Sequence, residues 1–321
     1  MTHGAAHRLR RDVERLALPS GRAVGTPGHA HAQAHLVNRL GELDLEPYGD
    51  AFALPYAAGG DRFANLVGVA PSADRDAAPV LIAAHHDTVP GTPGADDNAA
   101  AVAIALEVGA RLRARPAARD VLIALFDAEE PPYFHTSRMG STHWHARQCR
   151  GPVHAAVVLD LVGHAVPVPG LEDLLAVTGM ESDPELEDVV RALPAGHGLQ
   201  LVTALNRYVG DMSDHHVFRM NEVPYLFLSC GRWSHYHAPT DVPDVLDYPK
   251  MARIADVVEG LVRGAADRGL KGPWEGYDTT DTDVATTNAA LGPLLTHYGL
   301  EVRDRVGIER VVQLLARQLG L

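Results

Sequence analysis

Short β-branched runs recur along this chain and alternate with longer alanine- and leucine-rich stretches, and few folds accommodate that rhythm. Asn65–Ala70, Val80–Ala84, Val121–Phe126, Ala155–Leu161 and Val223–Ser229 read as buried strands. Between and around them, residues 6–17 and 29–43 read as helices, the second from the spacing of Leu36, Val37, Leu40 and Leu43, as do Asn98–Leu112 and Met251–Val262. Strand and helix in alternation predict an α/β sandwich around a mostly parallel sheet. A length of 321 residues with 46% hydrophobic content supplies the deep core such a sheet needs and excludes a disordered chain.

The texture changes beyond residue 271. PWEGYDTTDTD is polar and turn-rich, and Ile308, Val311, Val312, Leu315 and Leu319 then trace an apolar helical stripe. The expected division is a catalytic body over 1–271 and, over 272–321, a polar linker with a helical extension. That extension is read either as a helix packed on the body or as the contact of a homo-oligomer. With 28 basic against 41 acidic residues, a net charge of -13 opposes phosphate backbones and anionic lipid, so nucleic acid and membranes are not expected as partners. No apolar run reaches membrane-spanning length, and the opening MTHGAAHRLRRDVERL holds no apolar segment of an export signal, which makes the expected location cytoplasmic. Cys149 and Cys230 are too few for a disulfide framework.

Ligands gather where the strands of an open α/β sheet reach their carboxyl ends. Here VLIAA runs into His85-His86-Asp87, the PGTPGADDN loop brings Asp96 and Asp97 to the mouth of the next helix, and VLIALF runs into Asp127, Glu129 and Glu130. AAVVL ends on Asp160, and the last strand is followed by Trp233, His235, Tyr236 and His237. Burying so many carboxylates and imidazoles at one rim is costly unless divalent cations neutralise them. If Asp97 bridges, His85 and Asp160 complete one ion and Glu130 and His237 a second, each left open for a shared water of lowered pKa. Glu129 is then free to act as general base, and Asp87 to accept the other imidazole N–H of His85.

The ordered motifs resemble the di-zinc aminopeptidase family, which also holds the glutaminyl cyclases and the transferrin-receptor-like ectodomains. The HxD motif reads His85-His86-Asp87, GADDN spans Gly94–Asn98, and the paired glutamates are Glu129-Glu130. The later aspartate is Asp160, SDHxxF is Ser213–Phe218, and YHxxxD runs from Tyr236 to Asp241, with GRAVGTPG and NLVG preceding them all. The resemblance implies a three-layer α/β/α domain with a mixed, mostly parallel central sheet, two zinc ions per chain, and hydrolysis of the N-terminal bond of a peptide or small amide by a metal-bridged hydroxide. The PPYFHTSRM loop after Glu130 departs from the usual pattern and is similar to the glutaminyl cyclases, so single-zinc acyl transfer is the alternative. A second alternative is an inactive binding protein on this scaffold. The related carboxypeptidases and deacylases insert a lid domain for which the segment from Asp160 to His237 is too short.

Aromatic side chains near this rim are candidate substrate contacts: Phe134 and Trp233 to line a pocket, Tyr208 or Tyr236 to donate to a developing oxyanion, with Asp211 to hold a substrate ammonium. His86 should turn to the opposite face of its strand. Asp96 reads as a helix cap. His215 and His216 beside Asp214 do not form a serine triad, since no GxSxG is present. His3, His7, His29, His31 and His35 read as solvated.

Overall fold

A computed structural model describes residues 2–194, 196–271 and 277–319, without the side chains of 2, 3 and 316–319. Part of the expected linker, 272–276, and the side chain of Leu319 therefore lie outside the described residues. The strands are β1 (Glu46–Pro47), β2 (Ala53–Ala58), β3 (Asp61–Ala70), β4 (Val80–His85), β5 (Val121–Phe126), β6 (Ala155–Leu159), β7 (Leu174–Thr178), β8 (Gln200–Ala204) and β9 (Tyr225–Ser229). They form one sheet in the order β1-β3-β5-β4-β6-β9-β7-β8, with β2 paired to β3. The middle strands β5, β4, β6 and β9 run parallel, while β3 joins β5 and β7 joins β9 antiparallel. The sheet is thus mixed with a parallel centre.

Helices α1 (Thr2–Leu16), α2 (Pro27–Glu42), α3 (Ala101–Ala114), α4 (Gly140–His143), α5 (Pro184–Arg191), α6 (His215–Met220), α7 (Tyr248–Ala266), α8 (Thr280–His297) and α9 (Arg305–Leu319) surround it. Helix α2 starts where sequence chemistry says it should: Thr26 caps the N–H of His29, and Pro27 supplies a first residue that needs no hydrogen bond. Alternation along each strand divides the core. Ile82, Ala84, Ile123, Leu125, Val157 and Leu159 pack among the apolar stripes of α1, α2, α3 and α7. Leu81, Ala83, Leu122, Ala124, Val158 and Phe227 face the other way, onto Trp144, Val217 and Phe218. This is the three-layer α/β/α arrangement.

Helix α8 lies against the outer strand β8. The Thr203 N–H donates to Thr286 Oγ1 at 3.1 Å and Gln200 Nε2 to the Ala290 carbonyl at 2.9 Å, so side chains and helix backbone satisfy groups of an otherwise open sheet edge. Neither cysteine is in a disulfide. Among the described residues no helix is long and apolar enough to cross a membrane.

Candidate metal centre

Because the four middle strands point the same way, their carboxyl ends open onto one rim. β4 ends on His85 itself, β5 leads into Asp127–Glu130, β6 into Asp160, and β9 into the loop that carries His237. Asp97 enters from the irregular turn at Ala95–Ala100 before α3. That turn is held from both sides: Asp241 accepts the N–H groups of Asp96 (2.8 Å) and Asp97 (3.1 Å), and Asn98 Nδ2 donates to the Leu159 carbonyl at 3.0 Å. Arg22, fully buried, staples the approach by donating to the carbonyls of Leu16, His86, Pro93 and Gly94 at 2.7–3.1 Å.

The convergence is close. His85 Nε2 lies 3.2 Å from Asp97 Oδ1 and 3.8 Å from Asp160 Oδ1. His237 Nε2 lies 3.1 Å from Asp97 Oδ2 and 3.1 Å from Glu130 Oε2. Asp97 therefore turns one oxygen to each half of the site, and each half holds three ligand-type atoms within 4.8 Å of one another. Glu129 Oε2 stands 3.8 Å from His85 Nε2. Behind them Asp87 is 3.4 Å from His85 Nδ1 through Oδ1, and its carboxylate also accepts the backbone N–H groups of Glu129 (3.0 Å) and Glu130 (3.1 Å). One buried carboxylate thus holds the backbone of the paired glutamates and lies beside the imidazole.

Burial, with the repulsion of Asp97, pushes the Glu130 carboxyl up to about 8. Burial pushes Glu129 well above the usual carboxylate range, and the charges of Asp160 and Glu130 add to it. His237 rises to about 9, because the adjoining carboxylates of Asp97 and Glu130 outweigh the burial that opposes its charge. Asp97 is held low by His237 and His85 against the same burial. Protons alone do not satisfy the cluster: Glu130 Oε1, Asp160 Oδ1 and His237 Nε2 are buried without a hydrogen-bond partner among the described residues. Mixed imidazole and carboxylate donors, paired around a shared aspartate and left unsatisfied, fit two divalent cations of the zinc type. Backbone strain gathers here too, since Ala128, Leu161 and His237 hold positive φ values of 52–54° without being glycine.

A second buried group, His29, His86 and Asp127, has comparable spacing but a different character. Asp127 accepts from His29 Nε2 (2.8 Å), Gln33 Nε2 (2.9 Å), Ala64 N (2.7 Å) and Ala128 N (2.8 Å). His86 donates through Nδ1 to the Phe126 carbonyl at 2.6 Å and accepts at Nε2 from Gln33 at 3.3 Å. Every donor is answered, so this is a hydrogen-bonded brace beneath the Glu129-Glu130 segment. The expectation of a solvated His29 is thereby corrected, because the helical face carrying His29 and Gln33 packs onto the strand ends. His86 does turn away from the centre. His7 and His31 are exposed, His35 is half-buried, and the side chain of His3 lies outside the described residues.

The remaining expectations divide. Tyr236 stacks on the His237 ring at 3.8 Å and so belongs to the centre. Trp233 stacks on buried His164 at 4.3 Å, and Phe134 stacks on His135, which in turn stacks on His216. Tyr208 packs against the main core and its hydroxyl accepts from Arg207. Asp211 is not available to a substrate ammonium: Arg219, His216 and Asn206 all donate to it. Asp96 does not cap its helix but accepts Gly163 N (2.6 Å) and His164 Nδ1 (2.7 Å). Arg22, Gln33, Asp241 and His164 escaped sequence reasoning. Only the GR before GTPG and the aspartate closing YHxxxD hinted at two of them.

The sequence model described as peptidase family M28 matches residues 65–262, which contain every residue of the two candidate triads sharing Asp97. The chain belongs to peptidase family M28. A relative in sequence is the uncharacterized protein YfbL of Escherichia coli K12, 30% identical over 234 residues, 63% of this chain and 71% of that one. In fold, the M28 chain is similar to BSAP, a zinc aminopeptidase from Bacillus subtilis, with a TM-score of 0.68 and 14% identity over 85% of this chain and 96% of the other. It is also similar to the Tannerella forsythia glutaminyl cyclase, with a TM-score of 0.63 and 18% identity over 80% and 98% of the two chains. Membership in M28 makes this a peptidase-family chain with a zinc-dependent hydrolase scaffold.

Proposed function

We propose that this M28 chain is a di-zinc aminopeptidase-type hydrolase that cleaves the N-terminal bond of a peptide or small amide. The observation that carries the reading is the division of the Asp97 carboxylate, one oxygen 3.2 Å from His85 and the other 3.1 Å from His237. His85, Asp97 and Asp160 would hold one ion, and Asp97, Glu130 and His237 the other. A zinc pair so held would lower the pKa of a shared water and polarise the scissile carbonyl. Glu129 accepts the proton of the attacking water and passes it to the departing amine nitrogen, a shuttle its buried carboxyl can make in both directions. Asp87, 3.4 Å from His85 Nδ1, is placed to favour one tautomer of His85, while its bonds to two backbone N–H groups hold Glu129 and Glu130 at their positions. Tyr236 stays protonated, because burial and the charge of Asp97 raise its pKa, and it can donate to the oxygen on which charge develops.

Zinc content and turnover of aminoacyl anilides test this together. Two equivalents of zinc with aniline release, lost in Glu129→Gln, is the expected result. One equivalent with ring closure of an N-terminal glutamine would overturn it in favour of a cyclase, and a zinc-loaded protein without turnover would leave a binding scaffold.

A further inference from the structure

The rim of the centre carries an arginine with no acidic partner. Arg232 lies on the loop between β9 and His237, with its guanidinium carbon 4.7 Å above the Tyr236 ring. Tyr236 stacks in turn on His237 at 3.8 Å, so the cation sits two stacked rings from a metal-ligand imidazole. Its planar charge is held over an aromatic face with its N–H groups unclaimed by any carboxylate among the described residues. Arg150 and Arg207 also lie over tyrosine rings without a carboxylate partner, but of these Arg232 is the one whose ring stacks on His237. The carboxylate expected to hold a substrate ammonium, Asp211, is meanwhile neutralised by Arg219 and His216.

We propose that Arg232 binds the free α-carboxylate of a short substrate, which makes dipeptides the preferred class for this site. The proposal rests on the aminopeptidase reading for the place of the scissile bond. In a dipeptide the carboxylate follows the scissile carbonyl by one residue, a step of about 3.8 Å along the chain. Adding a guanidinium–carboxylate contact spans the distance of two stacked rings, whereas each further residue carries the carboxylate beyond Arg232. A guanidinium offers that carboxylate two parallel N–H bonds, which an amide cannot reciprocate.

Calorimetry on the zinc-loaded Glu129→Gln protein, in which turnover is blocked, tests the subsite directly. The probes are Leu-Gly, Ala-Ala and Gln-Gly, each compared with its C-terminal amide. The acids are expected to bind about 10- to 100-fold tighter than the amides, the range of one charge-assisted interaction. In Glu129→Gln/Arg232→Met the ratio falls to about one, and in Glu129→Gln/Arg232→Lys it is intermediate. Equal binding of acids and amides, a ratio that survives Arg232→Met, or no binding of any probe overturns the proposal. Turnover by the zinc-loaded parent judges the aminopeptidase reading separately: hydrolysis of the amides without any preference for the acids removes the subsite and keeps the peptidase. An acid preference in binding with no hydrolysis does the reverse.

Discussion

At the residue scale the proposed centre separates groups that would hold metal from groups that would move protons, and the two should fail differently. Glu129 clusters with His85 and Glu130 closely enough to be a ligand, but its proposed role is general base, so Glu129→Gln should leave zinc content intact while lowering kcat by roughly 10²- to 10⁴-fold. Loss of zinc in that variant would reassign Glu129 as a ligand. Asp87→Asn replaces a carboxylate that accepts from Glu129 N and Glu130 N with an amide whose own N–H₂ must face one of them. Zinc affinity should fall by about 10- to 100-fold in chelator competition; an unchanged affinity would mean that Asp87 only packs. Much of this was legible, because acids and imidazoles follow apolar strands one after another in the sequence. His29 was not, since a histidine on an amphipathic helix looks the same whether its face meets solvent or a strand end. Arg22 was hidden for a related reason: its four acceptors are backbone carbonyls, which leave no mark in side-chain patterns.

Among elements, the central strands and their flanking helices were readable because burial on both faces leaves a continuous apolar run. The edge was less so. β8 is only half-buried along its first three residues, so it lacks the continuous buried run of the central strands. What completes that edge comes from far along the chain. Asp283 on α8 is fully buried and accepts from Thr203 on β8 (2.6 Å), from Thr279 (2.7 Å) and from Arg305 on α9. Under the proposed division at 271, a catalytic body followed by an extension over 272–321, the extension serves to cover β8. Asp283→Ala should destabilise the protein by about 2–4 kcal/mol in denaturant unfolding, since it removes the acceptor of two hydroxyls and a guanidinium at once. A loss below about 0.5 kcal/mol would show that α8 rides on the edge without supporting it.

For the whole molecule, the cluster that makes the site also sets how stability responds to pH when metal is removed. Burial raises Glu129, Asp160, Glu130 (to about 8) and Asp214 (to about 7) above ordinary carboxyl values of 3.8–4.5, with neighbouring acids adding to it. The folded state therefore holds protons that the unfolded chain has released, and the penalty for ionising these groups accrues from about pH 4.5 to about pH 8. His85 and His237 act in the same direction: raised above 6.5 by their carboxylate partners against burial, they stabilise most fully below that value, and His237 loses its contribution as pH passes about 9. Both sets make metal-free stability fall as pH rises, whereas bound cations would take the place of those protons and flatten the curve. Between pH 6 and pH 9 the chelator-treated protein should lose roughly 5 °C or more in Tm relative to the zinc-loaded form, with the gap widening steadily. Parallel Tm curves for the two forms would mean that the carboxylates and imidazoles gathered at this rim are not where the metal binds.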